Sequence, residues 1–183
     1  MKRQAAFELA KQYASLGIPA FPINSEKEPA TANGFKDATT NTEKLLELFK
    51  NGPENCGVGV FPGPAGYVVL DVDDKGEHQG SKEWTAWQEK HGQVQTATVV
   101  TASGGYHYWF KKLSNRRISN AEAFKDIDIR ADGGYVVAAG TYFEDKEWQW
   151  VSNGLRSDIS ELLNSVVAPE WLDRLLESAD LST

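Results

Sequence analysis

The chain has 183 residues, 40% of them hydrophobic, enough for one domain with a full core. Its formal net charge of -7 argues against a surface that holds nucleic acid by bulk electrostatics, so any nucleic acid must be bound locally. The single cysteine, Cys56, excludes an internal disulfide and a zinc site of several thiolates. With no apolar run of about 18 residues and no charged-then-apolar amino terminus, the chain reads as soluble and cytoplasmic.

Ala6, Leu9, Ala10, Tyr13 and Ala14 recur at helical spacing and Gly17 stops the pattern, which predicts an amphipathic helix over residues 3–16. Residues 18–23 read as a short strand whose prolines suit a sheet edge, and residues 27–37 as a polar loop. Thr40 and Glu43 form a capping box for a second helix through Leu45, Leu46, Leu48 and Phe49, closed by Gly52. Residues 56–61 read as a strand, with Cys56 a small core residue, and the turn from Pro62 to Gly66 joins it to the next strand as a hairpin. That next strand is β-branched and aromatic, and ends in Asp71, Asp73 and Asp74. A helix over residues 81–91 places Trp84 and Trp87 on its core side, and neither His78 nor His91 is given a chemical role.

Residues 97–101 and 106–110 are strands of a second hairpin around Ser103-Gly104-Gly105. Strands over 127–130 and 135–138 follow, read as a hairpin around Asp132-Gly133-Gly134, and residues 148–151 add a last strand. The cluster Lys111, Lys112, Arg116 and Arg117 reads as a solvated loop. The tail over 158–178 reads as a helix, a break at Pro169 and a second helix. Helices first and a mostly antiparallel sheet after them make the class α+β.

Side chains alternate along a strand, so Asp71 and Asp73 share a face. Two carboxylates so close repel unless a cation sits between them, and a hard divalent ion with oxygen ligands meets that need. An acidic turn is the plainer reading of the pair alone. Three further features weigh against it. In Ser103-Gly104-Gly105-Tyr106-His107, turn amides, a hydroxyl and an imidazole can form a concavity for phosphate oxygens. Asp128 and Arg130 share one face of a strand, and the Asp132 turn follows. Three carboxylates, a phosphate-cradling turn and an arginine match metal-dependent phosphoryl transfer.

The ordered series of motifs resembles the amino-terminal primase-polymerase domain of the bifunctional primase/polymerase family, within the archaeo-eukaryotic primase superfamily. The series is Gly17-Ile18-Pro19-Ala20-Phe21-Pro22, Lys27 with Pro29, Gly34-Phe35-Lys36-Asp37-Ala38-Thr39, Gly57-Val58-Gly59-Val60, Val69-Leu70-Asp71-Val72-Asp73, Thr101 to His107, and Ile127 to Ala139. The resemblance implies a catalytic core related to the RNA-recognition fold, packed against an amino-terminal α/β unit with the site between them. It spans about residues 5–151, so residues 1–155 are expected to form the catalytic domain and residues 156–183 a helical tail that starts a linker to further domains.

The resemblance also implies a template-directed nucleotidyltransferase, a DNA primase and polymerase acting on single-stranded DNA in replication of a phage, plasmid or other mobile element. Asp71, Asp73 and Asp128 are expected to hold two Mg²⁺ or Mn²⁺ ions. Ser103, Gly104, Gly105, His107, Arg130 and Lys27 are expected to bind the nucleoside triphosphate. A replicative helicase, in cis or in trans, is the expected partner protein. One departure from the family pattern is Ala139-Gly140-Thr141, where a proline and serine are common. Two other readings stand beside this one: a metal-dependent nuclease or replication-initiator phosphodiesterase, and a catalytically silent single-strand-binding module.

Overall fold

The structure is a computed structural model and describes residues 1–118 and 121–182. The first half of the chain contributes α1 (Arg3–Ser15), β1 (Ala20–Ile23), α2 (Thr42–Lys50), β2 (Gly57–Val60), β3 (Tyr67–Val72) and α3 (Gly80–His91). Next come β4 (Ala97–Val100), β5 (Tyr106–Lys111), β6 (Ala121–Phe124), β7 (Ile127–Arg130), β8 (Val136–Val137), β9 (Tyr142–Phe143) and β10 (Lys146–Glu147). The chain closes with β11 (Gln149–Ser152), β12 (Leu155–Arg156), β13 (Val166–Val167) and α4 (Glu170–Ser182). The class is α+β, as expected.

α1 buries Ala6, Phe7, Ala10 and Tyr13 and is ended by Gly17 at a φ of 82°. β1 lies at the edge of a three-stranded antiparallel sheet of order β1-β2-β8, a position that tolerates Pro22. The expected Thr40 and Glu43 capping box does not form. Asn41 caps α2 instead, its side-chain oxygen accepting from the Lys44 amide at 3.0 Å, because an asparagine one residue later supplies the acceptor itself.

Two expected hairpins are also absent. The turn after β2 includes a short 3-10 segment, Gly63–Ala65, and carries the chain out of the small sheet into the large one. The Asp132-Gly133-Gly134 turn carries it back, so β8 pairs with β2 and not with β7. These two crossings touch: the Gly63 amide donates to the Ala131 carbonyl at 3.1 Å. A Cβ on Gly63 would lie 2.4 Å from that carbonyl, so the approach requires glycine. Pro- and Gly-rich turns mark where a strand ends, and long-range packing chooses the sheet that takes the next one.

The large sheet runs β12-β11-β4-β5-β3-β7-β6, with β13 added in parallel to the end of β5. The β4 to β5 hairpin forms as expected. Alternation gives the sheet two apolar faces. Val68, Leu70, Val72, Phe110, Ile127 and Ile129 pack with Trp84 of α3 and Leu172 and Leu176 of α4. Val69, Val99 and Trp109 pack on the other side against the amino-terminal unit, with Tyr13, Phe21, Val58, Val60 and Cys56.

The start of the tail is a 3-10 helix, Ile159–Asn164, rather than an α-helix, and Leu162 joins the core shared with the amino-terminal unit. In the basic cluster, Lys112 pairs with Asp132 at 2.6 Å and Arg116 with Asp173 at 3.0 Å, so both act as internal ties. No described helix is long and apolar enough to cross a membrane.

Candidate active site

The face of the large sheet that meets the amino-terminal unit changes character along its strands. On β3, Tyr67 and Val69 pack into the shared core, and the next residues on that face are Asp71 and, just past the strand, Asp73. On β5, Trp109 is core and His107 follows; on β7, Arg130 stands opposite Val69 and Asp128 opposite Asp71. Asp71 is therefore in register with His107 on one side and Asp128 on the other. Beyond the core the two units part into a cleft of about 850 Å³, lined by Lys27, Asp71, Asp73, Ser103, His107, Asp128 and Arg130.

Buried His107 directs Nε2 to Asp71 Oδ1 at 3.4 Å, and its Nδ1 is buried with no partner among the described residues. Arg130 bridges the two facing carboxylates, with Nε 3.8 Å from Asp71 Oδ2 and Nη2 3.2 Å from Asp128 Oδ2. Burial pushes the Asp71 carboxyl up, but His107, then Arg130 and Lys27, outweigh it and hold the pKa below the usual carboxylate value. Asp73, in the same lining, has other partners: its Oδ1 accepts from the Lys75 amide at 2.9 Å and its Oδ2 faces His78 Nε2 at 3.7 Å. Asp74 belongs to α3, accepting from the Ser81 amide at 2.8 Å and from the Ser81 hydroxyl.

The glycine turn shapes the site from behind. Gly104, at a φ of 89°, donates its amide to the Thr101 carbonyl at 3.0 Å. A Cβ on Gly105 would lie 2.2 Å from the Val72 carbonyl oxygen, so only glycine lets this turn close on the end of β3. Neither glycine lines the cleft, whereas Ser103 does, with its hydroxyl 3.4 Å from that of Thr101.

The opposite wall is a loop wound on Asn24, whose side-chain oxygen accepts from the Glu26 and Glu28 amides at 2.9 and 3.0 Å. Lys27 sits there at a φ of 67°, and the Tyr135 hydroxyl donates to its carbonyl at 2.7 Å. The Tyr135 ring stands edge-on to Phe21, 5.2 Å between centroids, so the core of the small sheet anchors the wall that carries Lys27.

Sequence reasoning missed several residues here. Lys75, Lys146 and Trp148 also line the cleft. Beside Asp73, Asp126 accepts from the Gln79 amide at 2.9 Å and meets His78 Nδ1 at 2.6 Å. The Gln79 amide and His78 lower the Asp126 pKa, and Asp126, then Asp73, raise that of His78. Nothing in the sequence could pair His78 with Asp126, since the contact spans 48 residues.

Among the described residues no group of three His, Cys, Asp or Glu side chains closes on one point as a metal cage. The donor chemistry nevertheless fits a hard divalent cation. All three carboxylates offer oxygen, and the facing pair, Asp71 and Asp128, already holds a cationic group between its members.

Residues 10–171 match the family described as bifunctional DNA primase/polymerase, N-terminal. The chain belongs to that family. No curated protein matches the chain. The match takes in β3, β5 and β7 and the amino-terminal unit from Ala10 within α1 onward, and runs on to Trp171 at the start of α4.

Proposed function

We propose that this primase/polymerase domain is a template-directed nucleotidyltransferase that joins nucleotides on single-stranded DNA. The observation that carries the reading is the register of Asp71 with both His107 and Asp128 at the base of a cleft whose far wall holds Lys27. A cleft lined by three carboxylates together with Lys27 and Arg130 suits a nucleoside triphosphate, whose phosphates need cations and whose reacting end needs carboxylates. Asp71, Asp73 and Asp128 would hold Mg²⁺ or Mn²⁺. Bound there, such ions neutralise phosphate charge and make a 3′-hydroxyl more acidic.

The side chains divide the remaining work. Lys27 and Arg130 attract and orient the triphosphate, and Arg130 exchanges its carboxylate partners for phosphate oxygens. Ser103 offers a hydroxyl donor. His107, whose Nε2 faces Asp71, fixes that carboxylate. DNA and nucleotides are the substrates the family implies, and the setting we propose is replication of a phage, plasmid or other mobile element, with a helicase as the partner protein.

The test is synthesis on a single-stranded template, with and without a primer, using ribo- and deoxynucleoside triphosphates with Mg²⁺ or Mn²⁺. Metal-dependent products from the wild type, and none from a folded Asp71→Ala/Asp73→Ala variant, are the expected result. Template cutting without synthesis would overturn the proposal in favour of a nuclease. Products that persist in the double variant would remove those carboxylates from the chemistry.

A further inference from the structure

A closed loop of contacts around Asp73 involves none of the other residues assigned above. The Asp73 amide donates to the Asp126 carbonyl at 2.9 Å, and the Gly80 amide donates to the Asp73 carbonyl at 2.9 Å. The Asp126 carboxylate, with a side chain only 12% exposed, takes the Gln79 amide at one oxygen and His78 Nδ1 at the other. Asp126 does this from a left-handed backbone position, φ 63°, in the turn between β6 and β7. Two bonds thus fix the carboxylate, the carboxylate fixes one edge of the imidazole, and the other edge faces Asp73 Oδ2 at 3.7 Å. The second Asp73 oxygen is held by the Lys75 amide at 2.9 Å.

We infer that His78, oriented by Asp126, is a positioning residue that sets the direction of the Asp73 carboxylate for divalent-cation binding. This inference rests on the proposed role of Asp73. The need for such a device lies in the local geometry. Asp71 is fixed by strand pairing on both sides, whereas Asp73 lies past the end of β3 and has no partner strand to orient it. Groups that orient a ligating side chain contribute heavily to affinity without touching the ion. His78 is half exposed, so replacing it leaves the core intact.

The test compares direct Mn²⁺ binding, read by loss of the free Mn²⁺ electron paramagnetic resonance signal, in the wild type and in His78→Ala, His78→Asn and Asp73→Asn. Thermal melts are run beside it. Asparagine keeps a donor where Nδ1 meets Asp126 but has nothing at the Nε2 position. The expected result is a Mn²⁺ dissociation constant raised roughly 10-fold in both His78 variants, at unchanged melting temperature. The nucleotide KM at saturating Mn²⁺ stays near that of the wild type. If His78→Asn or His78→Ala binds Mn²⁺ like the wild type, the inference is overturned and His78 serves only the loop. If Asp73→Asn also binds like the wild type, the assignment of Asp73 itself falls, and the inference falls with it.

Discussion

Asp71 keeps its charge in a setting where burial opposes ionisation and neighbouring cations outweigh that opposition. A carboxyl whose folded pKa lies below its unfolded value of about 3.9 stabilises the protein fully above that value, and the stabilisation is lost as pH falls through the folded pKa. In metal-free buffer Asp71→Asn should therefore be less stable than the wild type at neutral pH, by at most about 1 kcal/mol after solvent screening. The gap should close on acidification, which thermal melts across that range would measure. A more stable Asn variant would mean that repulsion between Asp71 and Asp128 dominates the site. That Asp71 and Asp73 share a face, and Asp128 and Arg130 share a face, was legible because strand alternation assigns faces without knowledge of the fold. The orientation of Asp73 was not, since it depends on His78 and on an aspartate from another hairpin.

The strands that build the site carried a strong local signal, and their partners did not. β3, β5 and β7 announce themselves by alternation, and the β4 to β5 hairpin by its glycine turn. The turns at Pro62 and Asp132 carry equally strong signals, yet each delivers the chain to the other sheet. β12 and β13 are two residues each, too short for any period to show. β13 extends the sheet that bears the carboxylates, beside β5, and α4 packs onto its back, with Leu172 and Leu176 fully buried in one cluster with Leu70 and Ile129. Leu172→Ala should cost about 2–5 kcal/mol, read from urea unfolding, a loss on the scale of a core position. A cost below about 0.5 kcal/mol would instead mark α4 as a loosely attached tail.

At the scale of the molecule, with a net charge of -7, the function proposed above puts template binding on the cations that line the cleft, Lys27, Lys75, Arg130 and Lys146. Each phosphate neutralised on a single strand contributes about -0.7 to the slope of log affinity against log salt. The slope for a single-stranded oligonucleotide should be no steeper than about -3, measured by fluorescence anisotropy. A much steeper slope would require a basic track outside the cleft.

Both walls of that cleft grow from one apolar core, and the two chain crossings are pinned together where Gly63 meets Ala131. Neither wall can melt by itself, because Phe21 and Val58 of one unit and Val69 and Trp109 of the other share the same buried volume. The strand bearing Asp71 is flanked on both sides, so its amide protons exchange with solvent only when the whole molecule opens. Of the residues proposed to do chemistry, Asp71, His107 and Asp128 are thus expected among the slowest-exchanging positions, whereas Lys27, Asp73 and Ser103 lie outside the strands.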